Sequence, residues 1–232
     1  MVLSRYVGAE VKRKEDPRLI TGSSMYVDDL QLPGMAHVAL YRSPYPHANI
    51  RRIDTSAAEA MPGVIAVVTG DQLAEFCGPM AAGQGEGASG EKADFDETEF
   101  VPSGAPTTWA LARGKVRNTG EAIVAVVAVS RYQAEDAVAA IDVDFELLPN
   151  VTNPEDAMKP GAPLVFEHIP FNVGARWDRT HGDPDAAFSN APVVARGRIR
   201  SQRVSGVPME PRAVAAAPDP LIQGLTLWTS TQ

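Results

Sequence analysis

The 232-residue sequence is poor in cysteine, and Cys77 is the only one. A single thiol cannot form an intrachain disulfide or one of the cysteine sets that hold zinc or iron–sulfur clusters. The four histidines lack the spacing at which two histidines on one helix bind a metal. We therefore expect no metal centre built from the cysteine and histidine side chains of this chain.

Long apolar runs and excess positive charge are missing as well. The longest wholly apolar run, Ala122 to Val129, is far shorter than the ~20 residues of a membrane-spanning helix. No apolar stretch of signal-peptide length precedes the first charges. With 29 acidic and 21 basic side chains, the net charge of -8 argues against nucleic-acid binding, which requires clustered positive charge. We expect a soluble, cytoplasmic protein with no membrane span and no nucleic-acid partner.

Apolar patterning predicts regular structure in much of the first 150 residues. The expected strands cover residues 35–42, 47–54, 64–69, 122–129 and 142–146. The continuous apolar run 64–69 favours burial on both faces. Thr55 and Ser56 offer an N-cap for a short helix, and Ser130 offers one for a longer helix. The apolar stripe expected on that longer helix consists of Tyr132, Ala137, Val138 and Ile141.

Three other stretches have distinct characters. Residues 77–108 are glycine-rich and acidic, which predicts a long surface loop, either a solvated insertion or a docking loop for a partner subunit. Residues 149–170 are proline-rich and are interpreted as a connection between two bodies. Beyond them the pattern predicts a helical turn after Gly182 and a long strand over residues 193–206. Two shorter strands are expected at 213–217 and 225–230.

Seven motifs, in a fixed order, together resemble the large subunits of molybdenum hydroxylases, the family of xanthine dehydrogenase, aldehyde oxidase and carbon monoxide dehydrogenase. The first comprises Arg13, Glu15, Asp16, Arg18, Leu19, Ile20, Thr21, Gly22, Tyr26 and Asp29. The others are Arg42-Ser43-Pro44 with His47-Ala48-Asn49-Ile50, PGVIAVVTG from Pro62, KVRNTGEAIVAVVA from Lys115, GDPDAAF from Gly182, PMEPRA from Pro208 and LTLWTSTQ from Leu225.

The resemblance implies an α+β fold of the α/β hammerhead type, with mixed β-sheets and short helices, followed by the strand-rich start of a second domain. The implied domains are a hammerhead over residues 1–150, a linker over 151–170 and an incomplete molybdenum-cofactor-binding domain over 171–232. In the resembling family the glycine-rich pterin loop and the catalytic glutamate lie beyond the part matched here. We therefore expect no catalytic residue in this chain.

The resemblance also implies a function and partners. The chain would be part of a molybdenum-dependent hydroxylase and inactive alone, with a molybdenum–pterin cofactor in the complete enzyme and none bound tightly to this chain. Expected partners are a chain carrying the rest of the molybdenum domain, an iron–sulfur subunit and an FAD subunit, in an oligomer. The alternative is a non-catalytic hammerhead module that serves assembly or interaction.

A few side chains have both a functional and a structural interpretation. In the resembling family the glutamine at Gln232 approaches an oxygen ligand of molybdenum, but a terminal glutamine can equally be frayed and touch nothing. Glu210 is favoured as a structural hydrogen-bond or ion-pair group, with Arg212 as a candidate partner. His47 is favoured as a buried hydrogen-bonding residue at a domain contact. The alternating Arg196, Arg198 and Arg200 would share one face of a strand, either as an ion-pair face or as an anion site.

Overall fold

The computed structural model describes residues 8, 10–81, 97–102, 106–221 and 223–230. The chain forms two compact units: a larger unit of residues 34–196, and a smaller unit of residues 1–33 together with 197–232. Short helices and several small sheets confirm the α+β fold class. The predicted domain boundaries at residues 150 and 170 divide the chain differently from these compact units, and they remain a prediction.

The strands are β1 His37–Arg42, β2 Ala48–Asp54, β3 Val64–Thr69, β4 Met80–Ala81, β5 Glu97–Pro102, β6 Thr107–Thr108, β7 Lys115–Val116, β8 Ala122–Ala128, β9 Asp142–Leu147, β10 Ala175–Thr180, β11 Val214–Asp219 and β12 Gly224–Thr229. The α-helices are α1 Asp16–Ile20, α2 Ser56–Glu59, α3 Gly70–Leu73, α4 Arg131–Ala139, α5 Pro154–Ala157 and α6 Pro184–Asn190. Short 3-10 helices cover Val27–Asp29 and Pro170–Asn172. None of the described helices is long and apolar enough to cross a membrane.

The core of the larger unit lies around β8. This strand is the middle of an antiparallel sheet in the order β1-β8-β3, and β7-β2-β9 form a second sheet. The side chains of Ile123, Val124 and Val126 are fully buried, and the strand predicted over residues 122–129 is confirmed. Side chains of the second sheet, including Val116 and Phe145, pack into the same core.

Strand β3 was expected to be buried on both faces, and this expectation is wrong. It lies at the edge of its sheet, and its register with β8 shifts between Val64 and Ala66. Ile65 is the extra residue of this bulge, and it is 59% exposed. Val67, which pairs with Val126, is the buried residue of the strand.

Helix α4 begins as its sequence predicts, because the Ser130 hydroxyl accepts a hydrogen bond from the Gln133 amide. Ala134 and Ala137 are fully buried and pack the helix against the core. Tyr132 was expected in this apolar stripe, but it is 80% exposed. Five positions separate it from Ala137, which places it about 140° away around the helix, on the solvent side.

The segment 77–108 is more ordered at its ends than a loop. Strand β4 pairs with β6, and β5 pairs with β10 along six residues. The loop prediction is wrong at these strands, because the sequence ETEFVP of β5 holds β-favouring Thr, Phe and Val. Residues 82–96 and 103–105 lie outside the described part. The docking role of this segment remains a prediction.

The long strand expected over residues 193–206 is not formed. No helix or strand covers residues 191–213, all of which are described, whereas the two shorter strands are present as the antiparallel pair β11–β12. Alternation predicts a strand only where a neighbouring strand can supply hydrogen bonds and cover. Ile199 and Val204 instead stand 97% and 85% exposed. Helix α6, capped by Asp183, is longer than the single turn expected.

Candidate functional site

Gln232, the predicted cofactor-binding residue, lies outside the described residues, so its role remains a prediction. Ser230, two residues earlier in the chain, is within the described part. The Ser230 hydroxyl accepts a hydrogen bond from the Ala213 amide at 2.8 Å and lies 3.0 Å from the carbonyl oxygen of Pro211, to which it can donate. The Ser230 amide also donates to the carbonyl of Ala213. These bonds bring the PMEPRA motif against the end of β12, where the LTLWTSTQ motif leads into Gln232.

Glu210, in the PMEPRA motif, has a structural role as predicted. Its carboxylate accepts a hydrogen bond from the backbone amide of Val27 over 3.1 Å. That partner is a main-chain group far away in sequence rather than Arg212. The Tyr26 amide donates to Asp29 in the same turn, so the N-terminal motif also meets this part of the smaller unit. Hydrogen bonds therefore link three of the seven motifs in the smaller unit: the N-terminal motif, PMEPRA and LTLWTSTQ.

The arginines of residues 196–200 do not share a strand face, because no strand forms there. Arg196, Arg198 and Arg200 are all exposed, in a stretch that forms neither helix nor strand. The predicted strand face is therefore wrong, while an ion-pair or anion-binding role of these arginines remains a prediction. Alternating charge alone does not hold such a segment in a sheet.

Two motifs meet in the larger unit near Ser43. The Ser43 amide donates to the carbonyl of Glu121, and the Gly120 amide donates back to the carbonyl of Ser43 over 2.8 Å. The Arg42 guanidinium donates to the carbonyl of Gly120, also over 2.8 Å. Gly120 has a φ of +86°, which glycine adopts without strain. Gly120 therefore has a structural role at the turn into β8.

His47 is buried, with 8% of its surface exposed. Its Nδ1 lies 2.7 Å from the carbonyl oxygen of Pro149. A carbonyl only accepts, so Nδ1 carries the hydrogen and donates it, and Nε2 of the neutral ring is left as an acceptor. Nε2 is buried and has no hydrogen-bond partner among the described residues. The prediction of a buried, hydrogen-bonding His47 is confirmed, while a position at a domain contact remains a prediction.

A charged cluster adjoins His47. The Lys115 ammonium donates to the Glu167 carboxylate, and this hydrogen bond, more than any other contact, lowers the pKa of Glu167 below its usual range. Arg117 lies at the same carboxylate, with Nη2 4.0 Å from it. The Arg117 Nε also donates to the carbonyl of Val165 over 3.1 Å. The cluster thus ties the segment around Val165 to β7 and the turn after it.

Gly70, the last residue of the PGVIAVVTG motif, lies against the backbone of Leu111 and Ala112. It is buried, and a Cβ built on it would stand 2.5 Å from the carbonyl oxygen of Ala112. Only glycine permits this approach without a shift of main chain. The motif therefore ends in glycine for packing rather than for chemistry.

The described residues contain no group of three or more His, Cys, Asp or Glu side chains placed to hold a metal ion. Cys77 is exposed, and its Sγ lies 3.5 Å from the Leu73 carbonyl.

The sequence did not predict the hydrogen bond of His47 to Pro149 or the contact of Lys115 with Glu167. The partners in these contacts are separated by 102 and 52 positions. A single sequence carries no local signal for such pairs. The one available hint was the proline-rich composition of the segment that supplies Pro149.

Two family models match the chain. Residues 21–149 match the aldehyde oxidase and xanthine dehydrogenase a/b hammerhead domain, and residues 165–232 match the molybdopterin cofactor-binding domain. The first match alone covers more than half of the chain. The 6-hydroxypseudooxynicotine dehydrogenase complex subunit gamma of Paenarthrobacter nicotinovorans is 38% identical over 224 residues, 96% of this chain and 27% of that protein.

Other similar proteins give the same picture. The nicotine 6-hydroxylase large subunit of the same organism is 37% identical over 97% of this chain and 26% of its own length. The crystal structure of quinoline 2-oxidoreductase from Pseudomonas putida 86 superposes with a TM-score of 0.77 at 37% identity, over 97% of this chain and 27% of that one. This chain spans about a quarter of the length of the curated relatives it matches.

Proposed function

Because the chain belongs to the aldehyde oxidase and xanthine dehydrogenase family of molybdenum hydroxylases, we propose that it supplies the hammerhead domain and one edge of the cofactor site to such an enzyme. The remaining molybdenum domain comes from further polypeptide. We expect the chain alone to be inactive, because it spans only about a quarter of the length of its curated relatives.

The exposed apolar side chains of the smaller unit carry this proposal. Ile199, Val207 and Met209 are between 89% and 97% exposed, although burial of such a side chain contributes roughly 1.5–3 kcal/mol. Strands β11 and β12 pair with each other as a two-stranded sheet, and such a pair is marginal in water without further cover. We therefore propose that additional polypeptide covers these side chains and extends the β11–β12 sheet.

The match of residues 165–232 to a molybdopterin cofactor-binding domain supports the cofactor. When bound, the molybdenum–pterin group supplies the redox chemistry of substrate hydroxylation. Gln232 is the residue of this chain proposed to contact it, by donation from the side-chain amide N–H. Ser230 would position that glutamine through its bonds to the PMEPRA segment. The electrons would leave through iron–sulfur and FAD subunits, and the assembly would be oligomeric.

The test is purification of the tagged chain from its native source, with molybdenum measured by elemental analysis and co-purifying chains identified by mass. We expect molybdenum together with polypeptides that carry the rest of the cofactor domain, an iron–sulfur protein and a flavoprotein. Metal-free chain without any large partner would refute the proposal.

The Gln232 role has its own test within the same assembly. Gln232→Ala should reduce the molybdenum retained per chain, while Gln202→Ala, an exposed glutamine in the same unit, should leave it unchanged. Equal retention in both variants would remove Gln232 from the cofactor site without affecting the assignment of the chain.

The alternative, a non-catalytic hammerhead module, makes the opposite prediction for the isolated chain. A self-sufficient module should run as a stable monomer in size-exclusion chromatography. A chain that lacks its partner should associate or aggregate through the apolar surface of its smaller unit. The extent of exposed Ile, Val and Met side chains favours the second outcome.

A further inference from the structure

Residues 193–204, which we name the arginine segment, form neither helix nor strand, yet their sequence is that of a β-strand. Pro192 and Pro208 flank the segment, and no proline interrupts it. Proline lacks the amide that a strand donates to its neighbour, so it is typical of the ends of a strand rather than the middle. The segment is rich in β-branched side chains, which favour strands: Val193, Val194, Ile199 and Val204. What it lacks is a neighbour, because no described strand pairs with it.

The arginine segment is open to solvent along its whole length. Every residue from 191 to 209 is exposed, and Ile199 and Val204 are 97% and 85% exposed. Apolar side chains of this size are stabilised when another surface covers them. An extended segment that is added to the edge of a sheet gains main-chain hydrogen bonds together with such cover. The segment is therefore suited to addition to a sheet edge in another polypeptide.

The charge of the segment indicates what that edge carries. Between Asp185 and Glu210 the chain holds four arginines and no carboxylate, although its net charge is -8. In a strand, Arg196, Arg198 and Arg200 would lie on one face at a spacing of about 7 Å, because alternate side chains point the same way. Opposite charges directly across two paired strands are stabilising, and like charges are destabilising. The segment therefore selects a strand with carboxylates at alternate positions.

Strand β9 is the described strand that most resembles such a partner. It lies at the edge of its sheet and carries carboxylates at three alternate positions, Asp142, Asp144 and Glu146. Two of the three are already engaged, since Asp142 forms an ion pair with Arg52 and Glu146 forms one with Arg51. A carboxylate that is already paired offers less attraction to a further arginine. A second copy of this chain therefore fits the segment less well than a different polypeptide with free carboxylates.

We propose that the arginine segment becomes a β-strand on assembly, by pairing with the acidic edge of a sheet in the polypeptide that completes the cofactor-binding domain. The segment lies within residues 165–232, which match that domain, and this position favours a partner from the same domain. The pairing rests on the proposed function, since the same additional polypeptide supplies the edge. It assigns to that polypeptide a particular contact, the segment 193–204, and a particular chemistry, carboxylates that face Arg196 and Arg200.

The test compares the isolated full chain with the tagged assembly from the native source, by hydrogen–deuterium exchange resolved to single amides by mass spectrometry. In the assembly, at least every second amide of the segment should exchange about a hundredfold more slowly than in the isolated chain, because a strand donates alternate amides to one neighbour. Rapid exchange along the segment in an assembly that retains molybdenum would overturn the pairing and leave the proposed function intact. Absence of any large partner would refute the proposed function, and the pairing with it.

Two exposed arginines on opposite faces of the expected strand provide a matched pair of variants. Arg200→Glu places a carboxylate against the acidic edge, so the NaCl concentration that releases the partner from the tagged chain should fall about twofold. Arg203→Glu makes the same change of charge on the face of Ile199 and should leave that concentration unaltered. Equal effects of the two variants would contradict an acidic edge. Slow alternating exchange of the segment in an isolated chain that runs as a dimer would identify a second copy as the partner and overturn the proposal.

Discussion

Replacing Gly70 by alanine adds a methyl group where the main chain leaves no room for one. The new Cβ would lie 2.5 Å from the carbonyl oxygen of Ala112 and 2.9 Å from that of Leu111, whereas ordinary contact begins at 3.4 Å. These oxygens belong to the backbone and cannot rotate aside. Ala112 is also held from the other side, because its amide donates to the carbonyl of Ala122 over 2.7 Å. The clash must therefore be relieved by moving main chain.

The expected effect of Gly70→Ala is a loss of about 2 kcal/mol in the free energy of unfolding. Inserting atoms into a packed region with backbone shifts costs roughly 1–3 kcal/mol. Alanine has a helix propensity up to ~1 kcal/mol better than glycine. That benefit is small here, because Gly70 is the first residue of the four-residue helix α3. The steric term therefore decides the sign.

Urea unfolding followed by circular dichroism measures this change, which should lower the midpoint and leave the slope unaltered. Gly78→Ala is the matched control, since nothing lies within 4 Å of its Cβ position. Its unfolding free energy should stay within ~0.5 kcal/mol of that of the unmodified chain. The reasoning is refuted if Gly70→Ala is equally neutral, or if Gly78→Ala is as destabilising.

Three further changes probe other contacts. Ser230→Ala should speed amide hydrogen exchange at Ala213, which loses its side-chain acceptor, by about fivefold or more; unchanged exchange would contradict the role of this bond. Asn172→Ala should lower the free energy of unfolding by about 2–3 kcal/mol, because it removes the side-chain hydrogen bonds with Val165, Ala157 and Pro163 and places alanine at a φ of +57°. Asn172→Gly relieves only the φ, so urea titrations should show that it recovers less than half of this loss. The pKa of Glu167 is lowered mainly by Lys115, so this carboxylate stabilises the fold above about pH 4.5 and the stabilisation is lost as the pH falls below that value. Glu167→Gln should flatten the dependence of the urea midpoint on pH between about 5 and 3, and an unchanged slope would argue against the ion pair.

Local patterns predicted the elements whose causes are local. The apolar run of β8, the Ser130 cap of α4 and the apolar pattern of residues 142–146 in β9 each lie within a few residues of the structure they specify. The tyrosine at position 132 was misplaced because an apolar residue need not face the core. The exposure of Ile65 in β3 results from a β-bulge for which the sequence contains no signal.

Features that depend on distant partners could not be predicted. The strand expected over residues 193–206 has the right alternation, but no neighbour pairs with it. Conversely, β5 was taken for loop although β10 supplies its partner. The motifs identified the family and named Glu210 and His47 as structural groups. Their hydrogen-bond partners, the Val27 amide and the Pro149 carbonyl, are seen only in the structure.

The hydrogen bond between Val27 and Glu210 sets an order of events for the nascent chain. Its two residues are separated by 183 positions, and the whole larger unit is synthesised between them. The Val27 amide therefore stays hydrated during synthesis, and it can donate to Glu210 only after Glu210 has left the ribosome. Earlier folding of residues 34–196 shortens the effective loop that this bond closes. As long as Glu210 is still inside the ribosome, the N-terminal segment around Val27 should therefore remain exposed to protease.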